Sequence, residues 1–280
     1  MPTTWRCGRF LFDFTKRKRP IVMGILNATP DSFSDGGRFR NANDAIAQAE
    51  SMIANGVDLI DVGGESTRPG AEPVALQEEL DRVLPVIEAL TKCGVPLSID
   101  TYKSETMRQA LLAGVDCVND IWALRQAGSV DAVLDSKECG IVLMHMQRDP
   151  LTMQFNPEYQ DVIADVSLFL KERSALLIQK GVSLDRIALD PGFGFGKSLE
   201  HNLMMLAHFD AFTQLGYPVL AGISRKSMIG KVTGKDTNDR VAASVAAAIM
   251  AADRGAKIIR VHDVAETVDA LKLWEAVNFE

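Results

Sequence analysis

Cysteine is scarce in this chain of 280 residues, and what there is lies scattered. Cys7, Cys93, Cys117 and Cys139 form no Cys-x-x-Cys pair, which argues against a disulfide framework and against a zinc cluster, and fits a reduced compartment. Long hydrophobic runs are missing too: none reaches the ~18 residues that a membrane span needs. The start of the chain has no signal-peptide core, because the apolar stretch from Phe10 to Phe14 is short and broken by Asp13. Positive charge is in deficit, with 30 Lys and Arg against 37 Asp and Glu and a net charge of -7. General affinity for nucleic acid or an anionic membrane surface is not expected of such a chain. An anion would have to be held by a local basic pocket. The one basic run, Lys16-Arg17-Lys18-Arg19, reads as a solvated turn before Pro20. These absences leave a soluble, cytoplasmic protein acting on small molecules as the expectation.

What is present is an alternation. Short apolar, β-branched runs are expected as strands at Ile21 to Leu26, Leu59 to Val62, Pro96 to Ile99, Cys117 to Val118 with its flanks, Ile141 to His145, Ile187 to Leu189, Val219 to Ile223 and Ile258 to Val261. Their near-continuous hydrophobicity suits strands buried on both faces, as in a parallel sheet. Helix-period segments separate them. Ala42 to Asn55 ends before Gly56, and Ser104 to Ala113 opens on an N-cap type of residue and ends before Gly114. Eight β-then-α units without a linker predict an α/β fold, a (β/α)8 TIM barrel spanning residues 1–280 as one domain, with a doubly wound open sheet as the competing architecture. Residues 1–20 precede the first unit as an extension, and the alternating Phe10, Phe12 and Phe14 predict a short strand or hairpin over the lower mouth of the barrel. The segment from Ala242 to Ala252 is apolar nearly all round, whereas an outer barrel helix should carry a polar face. A homodimer contact through this helix is therefore expected.

Catalytic groups of such barrels gather where strands end. Just past the expected strands stand Asn27, the run from Gly63 to Gly70 with Arg68, Asp100, Asn119-Asp120, His145, Asp190, Ser224-Arg225-Lys226-Ser227, and Arg260 with His262. A single Asp or Asn in such a place is usually a turn former, but polar groups on nearly every strand end converge on one cavity. Asp100, Asn119 and Asp190 offer acceptors and an amide to a heterocycle with a guanidine-like edge, such as pterin or guanine. Lys226 can donate to a ring atom, and the Arg260 guanidinium can stack on a ring face. Arg68, Arg260 and His262 suit an anion, and Asn27 is an uncharged oxygen donor of the kind that holds Mg²⁺ together with waters and substrate phosphates. The bland readings are a helix-opening surface lysine for Lys226 and a structural ion pair for Arg260.

The run Gly192-Phe193-Gly194-Phe195-Gly196-Lys197-Ser198 imitates a phosphate loop, but its first position is Pro191 and it follows the sixth strand. It reads instead as backbone that approaches a flat ligand, with Phe195 lining the pocket. The loops Asn27 to Asn41 and Gly63 to Pro73 are long and rich in glycine and serine, and Phe33, Asp35 and Arg68 mark them as lids that exclude water.

Several of these runs together resemble a known family. Asn27-Ala28-Thr29-Pro30-Asp31-Ser32-Phe33-Ser34-Asp35-Gly36-Gly37 and Gly64-Glu65-Ser66-Thr67-Arg68-Pro69-Gly70 are similar to the two mobile loops of bacterial dihydropteroate synthases. Ser98 to Thr101, Asn119-Asp120, Asp190 to Phe195, Ser224 to Ser227 and Arg260 to Asp263 continue the match in order from about Ile21 to the end. The resemblance implies a usually dimeric (β/α)8 enzyme that joins p-aminobenzoate to 6-hydroxymethyl-7,8-dihydropterin pyrophosphate and releases pyrophosphate. It implies a pterin pocket of Asp100, Asn119, Asp190, Phe195, Lys226 and Arg260, with Mg²⁺ at Asn27. It further implies a pyrophosphate site of Asn27, Arg68, Arg260 and His262. A p-aminobenzoate site of Phe33, Thr67, Arg68, Pro69, Phe195, Lys226 and Ser227 completes the set, with sulfonamides as competitors. Catalysis falls to Asn27, Asp35, Arg68, Asp100, Lys226, Arg260 and His262, by SN1-like loss of pyrophosphate with Asp35 shielding the cation. The alternatives are a pterin-binding methyltransferase barrel, which needs no anion site, a Schiff-base aldolase using Lys226, and a pterin-binding paralogue without turnover.

Overall fold

Side chains along a strand alternate between its two faces, and here the alternation sorts the strand side chains into two distinct cores. The structure, a computed structural model, describes residues 3–28, 38–66, 72–148, 153 and 157–279, with 38–41 as backbone only. A hairpin of β1 (Thr4–Cys7) and β2 (Phe10–Asp13) comes first. Eight parallel strands follow: β3 (Ile21–Asn27), β4 (Leu59–Gly63), β5 (Leu97–Asp100), β6 (Cys117–Asp120), β7 (Gly140–Met144), β8 (Ile187–Asp190), β9 (Leu220–Ala221) and β10 (Ile258–Val261). They pair in the order β8-β7-β6-β5-β4-β3-β10-β9, and a single bridge between Leu189 and Val219 closes the ring. All eight expected strands are present, and the fold is the expected (β/α)8 barrel.

The helices are α1 (Arg38–Ala54), α2 (Leu76–Leu90), α3 (Ser104–Ala113), α4 (Ser129–Asp135), α5 (Val162–Gln179), α6 (Leu199–Ala207), α7 (Asp210–Thr213), α8 (Ser227–Thr233), α9 (Val241–Asp253) and α10 (Val264–Asn278). Outward strand residues such as Val22, Ile60, Val62, Leu97, Ile99, Val118, Ile141, Leu189 and Ile259 pack against them in one large core. Inward residues at the lower end, Ile21, Met23, Leu59, Cys117, Val142, Ala188, Leu220 and Ile258, form a second core around Trp5 and Cys7. The hairpin is thus a stopper for the lower mouth, as expected. Its Trp5 is fully buried and donates its indole N–H to the Arg186 carbonyl at 3.1 Å.

Three local expectations need correction. Lys16 and Lys18 are exposed as expected, but Arg17 and Arg19 are only partly so: both guanidinium groups bind the Asp58 carboxylate, whose Oδ2 also accepts the Val22 N–H at 2.9 Å. Two cations on one carboxylate tie the extension to the start of β3. Helix α1 opens at Arg38, four residues before the expected start. Ser104 is the first helical residue of α3 rather than its cap, which is Lys103 in extended conformation, while Gly114 closes that helix in the left-handed region as expected. Among the described residues, no helix is long and apolar enough to cross a membrane.

Candidate active site

Strand register builds the site. Asn27 on β3 pairs with Gly63 on β4, Gly63 with Asp100 on β5, and Asp100 with Asn119 on β6. The four therefore stand in one row at the upper, C-terminal mouth of the barrel, on the inward face. Gly63 leaves room in this row, because a Cβ there would sit 3.7 Å from the Asp100 Cβ and 4.0 Å from the Asn27 Oδ1. Gly222, just past β9, does the same across the barrel, between the Arg260 Cβ at 3.9 Å and the Asp190 Oδ2 at 4.0 Å. Polar side chains alternating with glycine give a floor that is wide enough for a flat ligand and lined with hydrogen-bonding groups.

One residue of that floor escaped the sequence reading. Asp61, in the middle of β4, is fully buried and faces inward one step below Gly63. Its Oδ2 accepts from Arg260 Nε at 2.6 Å and from Asn119 Nδ2 at 3.0 Å. Arg260 also donates through Nη2 to Asp100 Oδ2 at 2.6 Å. Three buried oxygens here, Asp61 Oδ1, Ser98 Oγ and Asp100 Oδ1, have no hydrogen-bond partner among the described residues. Burial pushes the Asp100 carboxyl up to about 7 against the pull of Arg260, with Asp61, Asp120 and Glu79 adding to the rise. Asp190 is raised by burial as well, although Lys226 and the Gly192 N–H oppose it. Burial lowers the Lys226 ammonium to about 8. For Arg260, burial works against the charge but Asp61 and Asp100 outweigh it and raise its pKa.

The glycine-rich run forms one wall. Gly192 is left-handed (φ +72°), and a Cβ there would lie 2.0 Å from the His145 carbonyl oxygen, so only glycine fits. Lys197 does not face the mouth. It is buried beneath the loop, donating to the Gly192 and Phe195 carbonyls at 2.9 and 3.0 Å and meeting His145 Nδ1 at 3.0 Å. Burial and the Lys197 charge drive the His145 pKa down to about 2, so this imidazole is neutral and belongs to the scaffold rather than to the converging set. Ser198 caps α6 by accepting the His201 N–H at 3.1 Å. The phosphate-loop reading of this run is thereby excluded by where Lys197 and Ser198 point. Above it, Phe195 leans on a cluster of Ile121, Met144, Met146 and Met153. The Lys226 ammonium sits 4.5 Å from the Phe195 ring centroid and donates to the Phe193 carbonyl.

A family model of pterin-binding enzymes matches residues 23–262. A dihydropteroate synthase of Neisseria meningitidis serogroup C is 50% identical over 278 residues, covering 98% of this chain and 97% of the relative. The crystal structure of Burkholderia cenocepacia dihydropteroate synthase complexed with 7,8-dihydropteroate superposes with a TM-score of 0.89 at 52% identity, covering 99% of this chain and 96% of that one. That of the Xanthomonas albilineans enzyme with 4-aminobenzoic acid gives 0.93 at 48% identity, with each chain covered in full. The chain belongs to the dihydropteroate synthase family. Members are folate-pathway transferases, and the sequence resemblance is thus shown to be one of descent over the whole barrel.

Seen as a dihydropteroate synthase barrel, the expected site residues divide into three groups. Asn27, Asp100, Asn119, Asp190, Phe195, Lys226 and Arg260 surround the mouth. His262 and Ser227 flank it at the ends of β10 and β9: His262 Nδ1 lies 3.1 Å from Ser224 Oγ, and Ser227 is exposed at the start of α8. Phe33, Asp35, Thr67, Arg68 and Pro69 lie outside the described residues. The turn that delivers Lys226 is held firmly. Arg225 occupies the left-handed region (φ +57°), which is costly for a side chain with a Cβ. Its guanidinium binds Asp263, and its N–H donates to Ser244 Oγ at 2.9 Å. The stem of the second long loop is also fixed, because Glu65 accepts from Tyr102 at 2.8 Å and pairs with Lys103.

Proposed function

We propose that this chain condenses 6-hydroxymethyl-7,8-dihydropterin pyrophosphate with p-aminobenzoate, giving 7,8-dihydropteroate and pyrophosphate. The observation that carries the reading is the inward row of Asp100 and Asn119 with Asp190 and Lys226 across the mouth, an acceptor-rich floor beside one ammonium. A pterin edge, with an amino group next to a ring N–H, is complementary to two such carboxylates, and its ring oxygen or nitrogen to Lys226. The dihydropteroate bound by the Burkholderia relative and the 4-aminobenzoic acid bound by the Xanthomonas relative support the same substrates here.

The floor residues do distinct work. Asp100 and Asp190 orient the pterin and favour positive charge on it as the exocyclic C–O bond breaks. Arg260 and His262, with Arg68 from the second loop, receive the charge of the departing pyrophosphate, usually the largest catalytic contribution. Phe195, Lys226 and Ser227, with Phe33, Thr67 and Pro69, hold the arylamine, whose lone pair needs no strong base. Asp35 and the first loop keep water from the cation. Asn27 supplies one neutral oxygen at the rim beside Asp100, which fits an ion that keeps its waters and takes substrate phosphates, as Mg²⁺ does. Bound there, Mg²⁺ supplies positive charge beside the leaving group. The chain acts as a cytoplasmic homodimer joined through α9.

The test is formation of dihydropteroate from the two substrates, with Mg²⁺ present or chelated and with a sulfonamide added. Turnover that needs Mg²⁺ and is competed by the sulfonamide against p-aminobenzoate is the expected result. Tight pterin binding without turnover would instead mark a binding paralogue.

A further inference from the structure

One buried charge inside the barrel, Asp61, stands where the fold has no evident use for one. Below Asp61 the inward layer is apolar, made of Met23, Leu59, Cys117 and Val142, and an aliphatic side chain at position 61 would continue it. A carboxylate buried so deep is retained at an electrostatic cost, which directs attention to what it holds. Its Oδ2 is shared between Asn119 Nδ2 and Arg260 Nε, two groups of the floor itself. An ionised carboxylate can only accept hydrogen bonds. Asn119 must therefore turn its NH2 arm down to Asp61, which leaves its carbonyl arm facing the mouth. Arg260 is likewise fixed at two points, with Nε on Asp61 and Nη2 on Asp100, so its plane cannot swing.

We infer that Asp61 is a positioning residue that sets the hydrogen-bond polarity of the floor, presenting Asn119 as an acceptor and holding Arg260 in one plane, so that the site selects ligands by a donor-rich edge. Asp61 itself touches no substrate. The inference rests on the pterin reading above and adds to it the origin of edge selectivity. With Asp61→Asn, the residue at 61 can either accept or donate, Asn119 is free to flip, and Arg260 keeps Asp100 as its one ionised partner among these two.

Two measurements test this. Equilibrium binding compares a pterin with an analogue lacking the 2-amino group, in wild type and in D61N. The expected result is a loss of at least about tenfold for the pterin with less than about threefold for the analogue, a ratio of the size that a mispaired buried polar group produces. The p-aminobenzoate KM should stay within about twofold, because none of the groups that Asp61 holds is specific to that substrate. Equal losses for both pterins, or an unchanged ratio, would overturn the inference. The second measurement needs no variant and no ligand: side-chain amide exchange of Asn119 in the wild-type protein. Slow exchange of its Nδ2 protons is expected from the buried bond to Asp61, and rapid exchange would overturn the inference even if D61N failed to fold. A wild-type protein that binds neither pterin, yet shows protected Asn119 protons, would instead strike at the proposed substrate and leave the role of Asp61 standing.

Discussion

A single proton on Asp100 links the chemistry of the floor to pH. Its carboxyl is pushed up to about 7 in the ligand-free protein, by burial first and by Asp61, Asp120 and Glu79 after it. A pterin edge that donates needs the ionised form, so binding below about pH 7 must first expel a proton. Pterin affinity is expected to rise as pH climbs toward 7 and to level above it, with a loss approaching tenfold per pH unit on the acid side. The stability of the free protein has the opposite sign. Between the unfolded value of about 3.9 and the folded value, the native state alone holds the proton. The contribution of Asp100 to stability is therefore greatest in acid and is lost as pH rises through about 7. Titration calorimetry between about pH 5.5 and about pH 8 checks the first, where flat affinity would refute it, and Asp100→Asn should bind weakly and without this pH dependence. Thermal unfolding of Asp100→Asn beside the wild type over the same range checks the second.

Among elements, the hairpin of β1 and β2 gives the cleanest separation of stability from catalysis. Trp5 fills the lower mouth, at the end of the barrel opposite to the Asp100 row. Trp5→Ala is expected to cost about 3–5 kcal/mol of unfolding free energy, the usual range for a buried aromatic, while both substrate KM values hold in protein that remains folded. Denaturant unfolding followed by steady-state kinetics decides it, and a raised pterin KM would mean the two ends of the barrel communicate. The elements were readable in the sequence for a definite reason: a strand covered on both faces must be apolar throughout, so eight runs stood out even where β9 pairs through only two residues. The strand-end groups Asp100, Asn119, Asp190 and Arg260 were readable because a barrel exposes the residues that end its strands. Asp61 was not, since it lies inside the run Leu59-Ile60-Asp61-Val62 and only its inward parity with Gly63 and the apolar Leu59 reveals its direction. Lys197 stood out only as part of a false phosphate loop, and its actual role was unreadable for a different reason. Its role depends on carbonyls turned inward by Gly192 and its neighbours, and backbone direction leaves no trace in residue type.

On the scale of the whole molecule, apolar exposure is uneven. Helix α9 buries Ser244, Ala247, Ala248, Ala251 and Ala252 against the barrel, yet its outer stripe of Ala242, Ala246 and Met250 is exposed rather than polar. The helices that pack on α9 carry exposed apolar residues too, Leu203 and Met204 on α6, Val232 on α8, and Leu273 and Val277 on α10. A stable dimer needs roughly 1,200–2,000 Å² of total burial, more than α9 alone can supply, so its neighbours α6, α8 and α10 would have to take part. Small side chains on α9 would let a second copy approach closely in the proposed dimer, so glutamate there should be disruptive: Ala246→Glu with Met250→Glu would put two carboxylates into the proposed contact, each facing the same surface of the other copy. The wild type is expected to scatter light as twice 30.5 kDa at about micromolar concentration, and the double variant as the single mass with its barrel fold intact by circular dichroism. Because α8 begins beside Lys226 and packs on α9, the monomer should also bind p-aminobenzoate less tightly than the dimer, by a factor that reports how firmly the Ser224-to-Ser227 turn depends on the partner copy. A wild type of single mass, or a double variant that stays dimeric, would move the interface elsewhere.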